Sequence, residues 1–396
     1  KGMPDIVIRA CHDAPPAWAA DVDRLAASGC RVLAVAWGAQ GGAGAGLGTL
    51  RLAGLIGLAD PPRPDAADLV AELEGLGVAV KMITGDTVAT ARAVAAATGI
   101  GGEVASGAEV RADPSRGANA GVVAAVYPED KYAIVHALQE AGHTVGMTGD
   151  GVNDAPALRR AEVGIAVAGA VDVARAAASL VLTDPGLIDV VAAVKVSRSI
   201  HQRMLTWVLN KVIKTAQVAG FLIIGFFLTR HLVTTSLDIV LLLFTNDFVT
   251  VSLAVDRVRP SLRPDRWRAG TITAAALLLA AGVVAESFVD LYLARQVFHL
   301  GWPQTQTLMF TMLAFTGQAT VYLVRERGHL WDSRPARLLL FASGCDILLV
   351  ILLATLGILM PAVALGPVLV VLGLAFACTL LLDPVKVVVL RRLSFS

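Results

Sequence analysis

Cysteine is scarce in this chain. Its 396 residues hold four, Cys11, Cys30, Cys345 and Cys378. They are widely scattered, with no metal-spaced pair and no disulfide framework, so a reducing compartment is the default. Charge is scarce as well. Asp, Glu, Lys and Arg make up only 16% of the residues, against about 25% in an ordinary soluble domain. The formal net charge is +1, which gives no general reason to expect nucleic acid as a partner. There is no initiator Met and no signal peptide. The chain opens on Lys1-Gly2, which suggests a piece of a longer polypeptide. What fills the sequence is apolar: hydrophobic residues make up 56%. That composition excludes intrinsic disorder and argues against a wholly soluble protein.

The average hides a split. Residues 1–202 hold 16 Lys and Arg against 22 Asp and Glu, whereas residues 203–396 hold 17 against 10. The first part reads as a soluble acidic domain and the second as a membrane domain. Six apolar stretches follow residue 202, at 205–229, 236–255, 270–294, 305–324, 337–360 and 362–382. Each is about 20 residues or longer, enough for a helix to cross a hydrocarbon core of about 30 Å. Only Met360-Pro361 separates the last two, which predicts a helical hairpin. Arg257, Arg259, Arg263, Arg266 and Arg268 follow the second stretch. Arg325, Arg327, Arg334 and Arg337 follow the fourth, and Lys386, Arg391 and Arg392 lie in the tail. The opposite side has only Arg230 and Arg295. By the positive-inside rule the richer side is cytoplasmic. Residues 1–202 and the C-terminus then share that face, in a multi-pass protein of the cell membrane.

Ionisable residues inside spans are costly and usually functional. Lys214 stands about nine residues into the first span, roughly 14 Å deep. Asp247 stands about eleven residues into the second, which runs back the other way. An opposite-charge pair near the midplane lowers the cost of each charge. Asn246 precedes Asp247, and Lys211 sits one turn before Lys214. Glu286 and Asp290 are four residues apart on the third span, nearer the outer surface, and Asp346 lies mid-depth in the fifth. Structural polar contacts and a path for a cation are both open readings of these residues.

In the soluble part, short apolar runs alternate with helical patterns. Strands are expected at 31–37, 54–59, 79–84, 121–127, 144–148, 163–167 and 180–183. Ala-rich helices are expected at 65–76, 87–98 and 129–141. The alternation argues for a parallel α/β sheet with helices on both faces. Ligands of such sheets sit at the carboxyl ends of the strands, which is where the polar residues gather. One strand ends in Thr84-Gly85-Asp86 and another in Thr148-Gly149-Asp150-Gly151-Val152-Asn153-Asp154. A third leads to Lys131, and a fourth ends near Asp60 and Arg63. A glycine turn lets backbone amides approach an anion. Asp150 and Asp154 are hard oxygen ligands suited to Mg²⁺. Lys131 is a compact cation able to hold a phosphoryl oxygen, and Thr84 offers a hydroxyl to the same group. Any one of these is common turn chemistry, but together they describe a phosphoryl-transfer site. The Gly-rich stretch 39–50 lacks the GK[ST] of a phosphate-binding loop and reads as a hairpin connection.

TGDGVNDAPAL, with MITGD upstream and DPPR before it, resembles the hinge and phosphorylation domain of P-type ATPases. The opening KGMPD resembles the family's KGAPE segment, with Met3 and Asp5 departing from it. That resemblance implies a Rossmann-like fold of the haloacid-dehalogenase type, followed by an all-α bundle of six transmembrane helices. The segments VYPEDKYAIVHALQEAGHTVGMTGDGVND and TNDFVTVSLAVDRVRPS are similar to the plasma-membrane proton-pump branch. In that branch an Asn-Asp pair on the corresponding helix carries the proton-accepting aspartate. Here the pair is Asn246-Asp247. Lys214 departs from the plant and fungal members and resembles a built-in positive charge of potassium-linked members.

The resemblance further implies ATP and Mg²⁺ as cofactors, and an ATP-driven cation pump working through an aspartyl-phosphate. The favoured transported ion is the proton; another cation (K⁺, Mg²⁺, Ca²⁺ or Na⁺) and a non-catalytic accessory role are the alternatives. Lys1 and Gly2 border the nucleotide site in this reading, and Asp60, Arg63, Thr84, Gly85 and Asp86 support ATP. Thr84 and Lys131 hold the transferred group. Asp150, helped by Asp154 and Asn153, holds the metal. Lys214, Asn246 and Asp247 line the ion path. A helix running from about residue 185 into the first span is expected to carry motion between the two sites. The family's phosphorylated Asp-Lys-Thr-Gly-Thr motif does not occur in this sequence. Residues 1–50 are thus expected as the end of a nucleotide-binding domain, 51–202 as a phosphorylation domain without its nucleophile segment, and 203–396 as the transmembrane domain. The missing N-terminal part of the same pump is then the expected partner.

Overall fold

The computed structural model describes residues 1–15, 17–27, 30–38, 50–59, 61–264 and 268–394; the side chains of Arg31, Asp247 and Phe248, and those beyond Arg392, fall outside the description. It divides into two compact units, Lys1–Val194 and Lys195–Ser396.

The first unit begins with helices α1 (Pro4–Arg9) and α2 (Trp18–Ala27) and strands β1 (Cys30–Trp37) and β2 (Arg51–Ala59). β1 and β2 pair antiparallel, from Cys30↔Ala59 to Trp37↔Arg51. This corrects the expectation that these two runs join one parallel sheet. The reason lies in the connection. Parallel neighbours need a crossover, usually helical, and the Gly-rich sequence between these two is a poor helix former. Residues 39–49 themselves lie outside the described residues. Gly2 donates its amide to the Ala34 carbonyl at 3.1 Å and so adds to the edge of this pair.

The rest of the unit alternates as the pattern requires. It runs α3 (Ala66–Gly75), β3 (Met82–Ile83), α4 (Val88–Thr98), β4 (Val104–Ser106), α5 (Gly107–Ala112), α6 (Pro114–Asn119) and β5 (Val122–Ala124). Then come α7 (Pro128–Glu140), β6 (Gly146–Gly149), α8 (Ala155–Arg160), β7 (Val163–Ala166), α9 (Asp172–Ala177) and β8 (Leu180–Val181). The strands form two parallel three-stranded sheets, ordered β3-β5-β4 and β6-β7-β8. β5 explains why its run is apolar throughout. Val122 and Ala124 pack with Ala91 and Ala95, while Val123 packs on the other face with Val110 and Ile134. Alternate residues point to opposite faces, and both faces are covered.

The paired strands are shorter than the apolar runs. Pro128, the first residue of α7, starts a helix where the 121–127 run ends. β4 was not expected, because Val104–Ser106 is three residues long and shows no period. The helices start and stop on local chemistry. The Thr87 hydroxyl accepts from the Thr90 amide at 3.3 Å. Gly99, at φ 75°, ends α4 in the left-handed conformation that glycine adopts without strain.

The second unit is helical: α10 (Ile188–Thr229, which begins before the unit boundary), α11 (Ser236–Ser252), α12 (Ala269–Tyr292), α13 (Trp302–Val324), α14 (Arg337–Leu356) and α15 (Leu365–Ser394). All six are long and apolar enough to cross a membrane. α13 is the innermost. Its threonines satisfy their hydroxyls on their own helix, as Thr316 does on the Met312 carbonyl at 2.9 Å and Thr320 on Thr316 at 2.7 Å. Threonines can therefore line a buried helix without orphaned hydroxyls. The fifth span ends at Leu356 rather than residue 360, because Gly357 caps it at φ 70°. The sixth runs well past residue 382, with Pro384 inside it.

One fully buried ion pair ties three of these helices together. Arg325, beyond α13, donates through Nε to Asp256 Oδ2 at 3.0 Å and through Nη1 to the Ser333 carbonyl at 2.8 Å. Asp256, beyond α11, accepts the Ala336 amide ahead of α14 at 2.8 Å. Removing one partner of such a pair leaves an uncompensated buried charge, at a cost of about 3–5 kcal/mol. Arg325→Ala is therefore expected to lower the unfolding temperature of the purified protein in detergent sharply. Exposed Arg259→Ala should leave it unchanged.

Candidate functional site

The strand-end residues of the first unit do converge, in part. Lys131 Nζ and Asp154 Oδ1 are 2.6 Å apart, with the Asp154 side chain buried and the Lys131 side chain largely so. Lys131 comes from the first turn of α7. Asp154 comes from the helical turn Val152–Asp154 that follows β6. Asp154 Oδ2 accepts the amides of Asp150 and Gly151, each at 3.2 Å. The carboxylate thus folds its own turn and holds the lysine. Gly149 is required beneath it, since a Cβ there would come within 2.5 Å of the Asp154 Cβ. Asp150 and Asn153 are exposed beside this turn.

The second turn is built on β3. The Thr84 hydroxyl donates to Asp86 Oδ2 at 2.9 Å, and the Asp86 amide donates back to that hydroxyl at 3.1 Å. The Thr84 amide reaches the Val123 carbonyl at 2.9 Å, and Asp86 accepts the Ala125 amide at 2.8 Å. Gly85 and Asp86 are exposed, Thr84 half-buried. Asp130 supports the start of α7 and was not singled out in the sequence. It accepts from the Tyr127 amide at 2.8 Å and from Arg111 at 2.5 Å, which fixes the start of α7 and so aims Lys131. The available signal was Pro128 at the first helical position with an acid two residues on, a capping pattern.

Other residues expected at the site stand apart. Gly2 lies on the β1 edge. Arg63 pairs with Asp65 at 3.5 Å across exposed surface. Among the described residues, no hydrogen bond or ion pair joins Lys1, Gly2 or Arg63 to the two turns. Asp60 lies outside the described residues.

Two carboxylates on one turn suit Mg²⁺, which takes one or two carboxylates and completes its octahedron with water and phosphate oxygens. Asp150 is free to be one. Asp154 is already shared with Lys131 and two amides, so it fits as a supporting ligand. No group of three His, Cys, Asp or Glu suited to a metal exists among the described residues.

The helical unit carries a second polar cluster. Lys214 Nζ contacts Asn246 Oδ1. Gly317 of α13 makes the room, since a Cβ there would lie 2.7 Å from Lys214 Nζ and 2.8 Å from that oxygen. Gln318 donates to Asp346, which also lies within electrostatic reach of Lys214. Gln217, three residues beyond Lys214, donates to Ser287 at 3.0 Å and Thr316 at 2.9 Å. Asn210 is fully buried, and among the described residues neither of its side-chain polar atoms has a partner. Asn210, Lys214 and Gln217 fall at i, i+4 and i+7, one stripe of α10. Asn210 and Gln217 were not singled out in the sequence, because a single amide in an apolar run carries no period. The Asp247 side chain, expected opposite Lys214, lies outside the described residues.

Burial pushes the Asp154 carboxyl up, but the hydrogen bond from Lys131 and those from the Gly151 and Asp150 amides more than offset it. The group is held below the usual carboxylate range. A lowered folded-state value contributes stability that is present above the unfolded value and is lost as pH falls through the folded one. Asp154→Asn should therefore flatten the acid limb of the stability profile below about pH 4. Urea unfolding followed across that range is the measurement, and an unchanged acid limb would contradict it. Gly149→Ala should reproduce the loss through the clash beneath Asp154.

Residues 10–162 match the haloacid dehalogenase-like hydrolases. Over its full length the chain is 36% identical to a putative cation-transporting ATPase of Methanocaldococcus jannaschii, covering 50% of that protein. It is 34% identical to a probable proton ATPase of Leishmania donovani, over 83% of the chain and 38% of the relative. It is 33% identical to a probable plasma membrane ATPase of Dictyostelium discoideum, over 86% of the chain and 34% of the relative. The chain thus spans at most about half the length of these relatives. A hydrolase-type α/β unit, six long apolar helices and these likenesses lead to one conclusion: the chain is similar, over its whole length, to about half of a cation-transporting ATPase of the kind that P-type pumps represent.

Proposed function

We propose that this chain is the phosphoryl-handling and ion-translocating part of an ATP-driven cation pump that exports protons. The reading rests on one conjunction. A strand-end Lys131–Asp154 pair beside Asp150, together with the Thr84 turn at the end of β3, occurs in the same chain as a buried polar stripe around Lys214 and Asn246. The first cluster has the parts that phosphoryl transfer needs: a cation, a hydroxyl, backbone amides and acidic oxygens. The second has a charge and hydrogen-bonding groups inside an apolar bundle, where such groups are costly and mark functional sites.

The roles follow. Thr84 and Lys131 hold the transferred phosphoryl group. Lys131 is pre-set by Asp154 and reaches the group by exchanging one oxygen partner for another. Asp150 holds Mg²⁺ with Asp154 and Asn153 in support, and the metal supplies charge neutralisation on the phosphate oxygens. Lys1, Gly2, Asp60, Arg63, Gly85 and Asp86 border ATP. Residues 1–50 end a nucleotide-binding domain, 51–202 form the phosphorylation domain, and 203–396 the membrane domain. The phosphorylated aspartate belongs to a part of the pump outside this sequence. In the membrane, Asp247 takes a proton from the inside and releases it outward, and the fixed charge of Lys214 favours the release.

The test is proton transport by the polypeptide of the complete reading frame in sealed inside-out vesicles. ATP is expected to acidify the lumen. Asp247→Asn should abolish acidification while phosphorylation from ATP persists, and Lys131→Ala should abolish both. Acidification that survives Asp247→Asn would remove the proton-site assignment. ATP hydrolysis that depends on K⁺ or Na⁺ with no lumenal acidification would replace the proton by that ion. Lys214→Ala is expected to reduce the maximal gradient at least tenfold; normal pumping would remove its counter-charge role.

A further inference from the structure

Two acidic residues of the helical unit stand outside the stripe around Lys214. Glu286 and Asp290 are one helical turn apart on α12, a spacing that puts their Cβ atoms about 5–6 Å from each other on one face. That face points inward: Leu279, Val283 and Leu291 on it are buried too. Asp290 is fully buried, and Glu286 is 9% exposed. Among the described residues, neither Asp290 oxygen has a hydrogen-bond partner, nor does Glu286 Oε1. The Cys378 thiol of α15 lies within interaction range of the Glu286 carboxylate. α12 and α15 meet closely here, since a Cβ on Gly282 would come within 2.6 Å of Leu382.

Among the described residues, the neighbouring elements bring no cation into contact with the pair. α15 presents the Cys378 thiol. α10 and α13 present Gln217, Met312 and Thr316, gathered on or near Ser287. Arg295, in the turn Leu293–Val297 after α12, donates to the Leu300 carbonyl and lies over the Trp302 ring. Lys214 is held by Asn246. Two ionised carboxylates this close, out of water and without a counter-ion, cannot both keep their charge.

We propose that Glu286 and Asp290 form a proton-binding site, with one proton held between the two carboxyls. Protonation forms an O–H bond on one carboxyl, and that hydroxyl serves an oxygen that otherwise has no partner. Two carboxylates and a thiol give too few hard ligands for Ca²⁺. α12 leaves the Arg-rich cytoplasmic loop at Ala269, so Asp290 lies about 32 Å along it, near the outer surface. Ser287 accepts from Gln217, three residues from Lys214, so polar contacts lead from the Lys214 cluster to this helix. On the pump reading, on which this role but not the site itself rests, the pair is where the proton leaves toward the outside.

The experiment is infrared difference spectroscopy on the 396-residue chain in lipid nanodiscs, without ATP. At neutral pH the expected spectrum contains a protonated-carboxyl C=O stretching band that shifts in heavy water. It should disappear in the Glu286→Gln/Asp290→Asn double variant and move in frequency in either single variant. Wild-type protein with no protonated-carboxyl band at neutral pH overturns the site without recourse to any variant. So does a band that the double variant retains unchanged. A rise in unfolding temperature on adding Na⁺ or K⁺, seen in wild type and lost in the double variant, assigns the pair to a metal cation and overturns it as well. None of these readings needs turnover, so the site can fail while the pump reading stands, and the reverse.

Discussion

A charge taken out of water must be answered by a partner, and both units of this protein are arranged around that requirement. Arg325 and Asp256 are each almost completely buried. They persist because guanidinium and carboxylate meet each other and also satisfy the Ser333 carbonyl and the Ala336 amide. The ends of α11 and α13 and the start of α14 are thereby held in one arrangement. Asp383 does the same along α15, accepting from Lys386 at 2.7 Å and from His329 at 2.6 Å. Such pairs add little net stability over an apolar core, but losing one member is costly. They make the helix ends specific rather than merely stable.

The same rule shapes the α/β unit. β5 is covered on both faces, so its side chains must be apolar, and polar groups can appear only beyond the strand ends. That is where Thr84, Lys131, Asp150 and Asp154 stand. Lys131 is poised on Asp154 rather than left to solvent, and Asp130 in turn fixes the helix that carries it.

In the bundle, a central helix makes the polar stripe possible. α13 offers small or self-satisfied residues, Thr316 and Gly317, against which Gln217 and Lys214 of α10 can pack. The threonines of α13 return their hydroxyls to their own backbone, so they introduce polarity without orphaned groups. The Glu286–Asp290 pair lacks any such provision and therefore stands out.

Much of this was legible in one dimension. Six apolar runs of the right length and an asymmetric distribution of Arg specified the spans and their direction, because hydrocarbon admits only internally hydrogen-bonded helices. Alternation of short strands and helices specified a parallel α/β unit, and glycine turns with adjacent acids marked its rim. The alternation put β1 and β2 in the parallel sheet while the Gly-rich stretch between them read as a hairpin connection, and only the observed antiparallel pairing decided between the two. The sequence could not show that Asp154 answers Lys131, that Asn246 meets Lys214, or that Asp130 aims α7. Nor could it show that Asn210 is buried with no partner among the described residues. Length, polarity and turn chemistry are local, and the sequence determined them alone. Which polar group meets which is a matter of distance between segments far apart in the chain, and only the packed structure decided it.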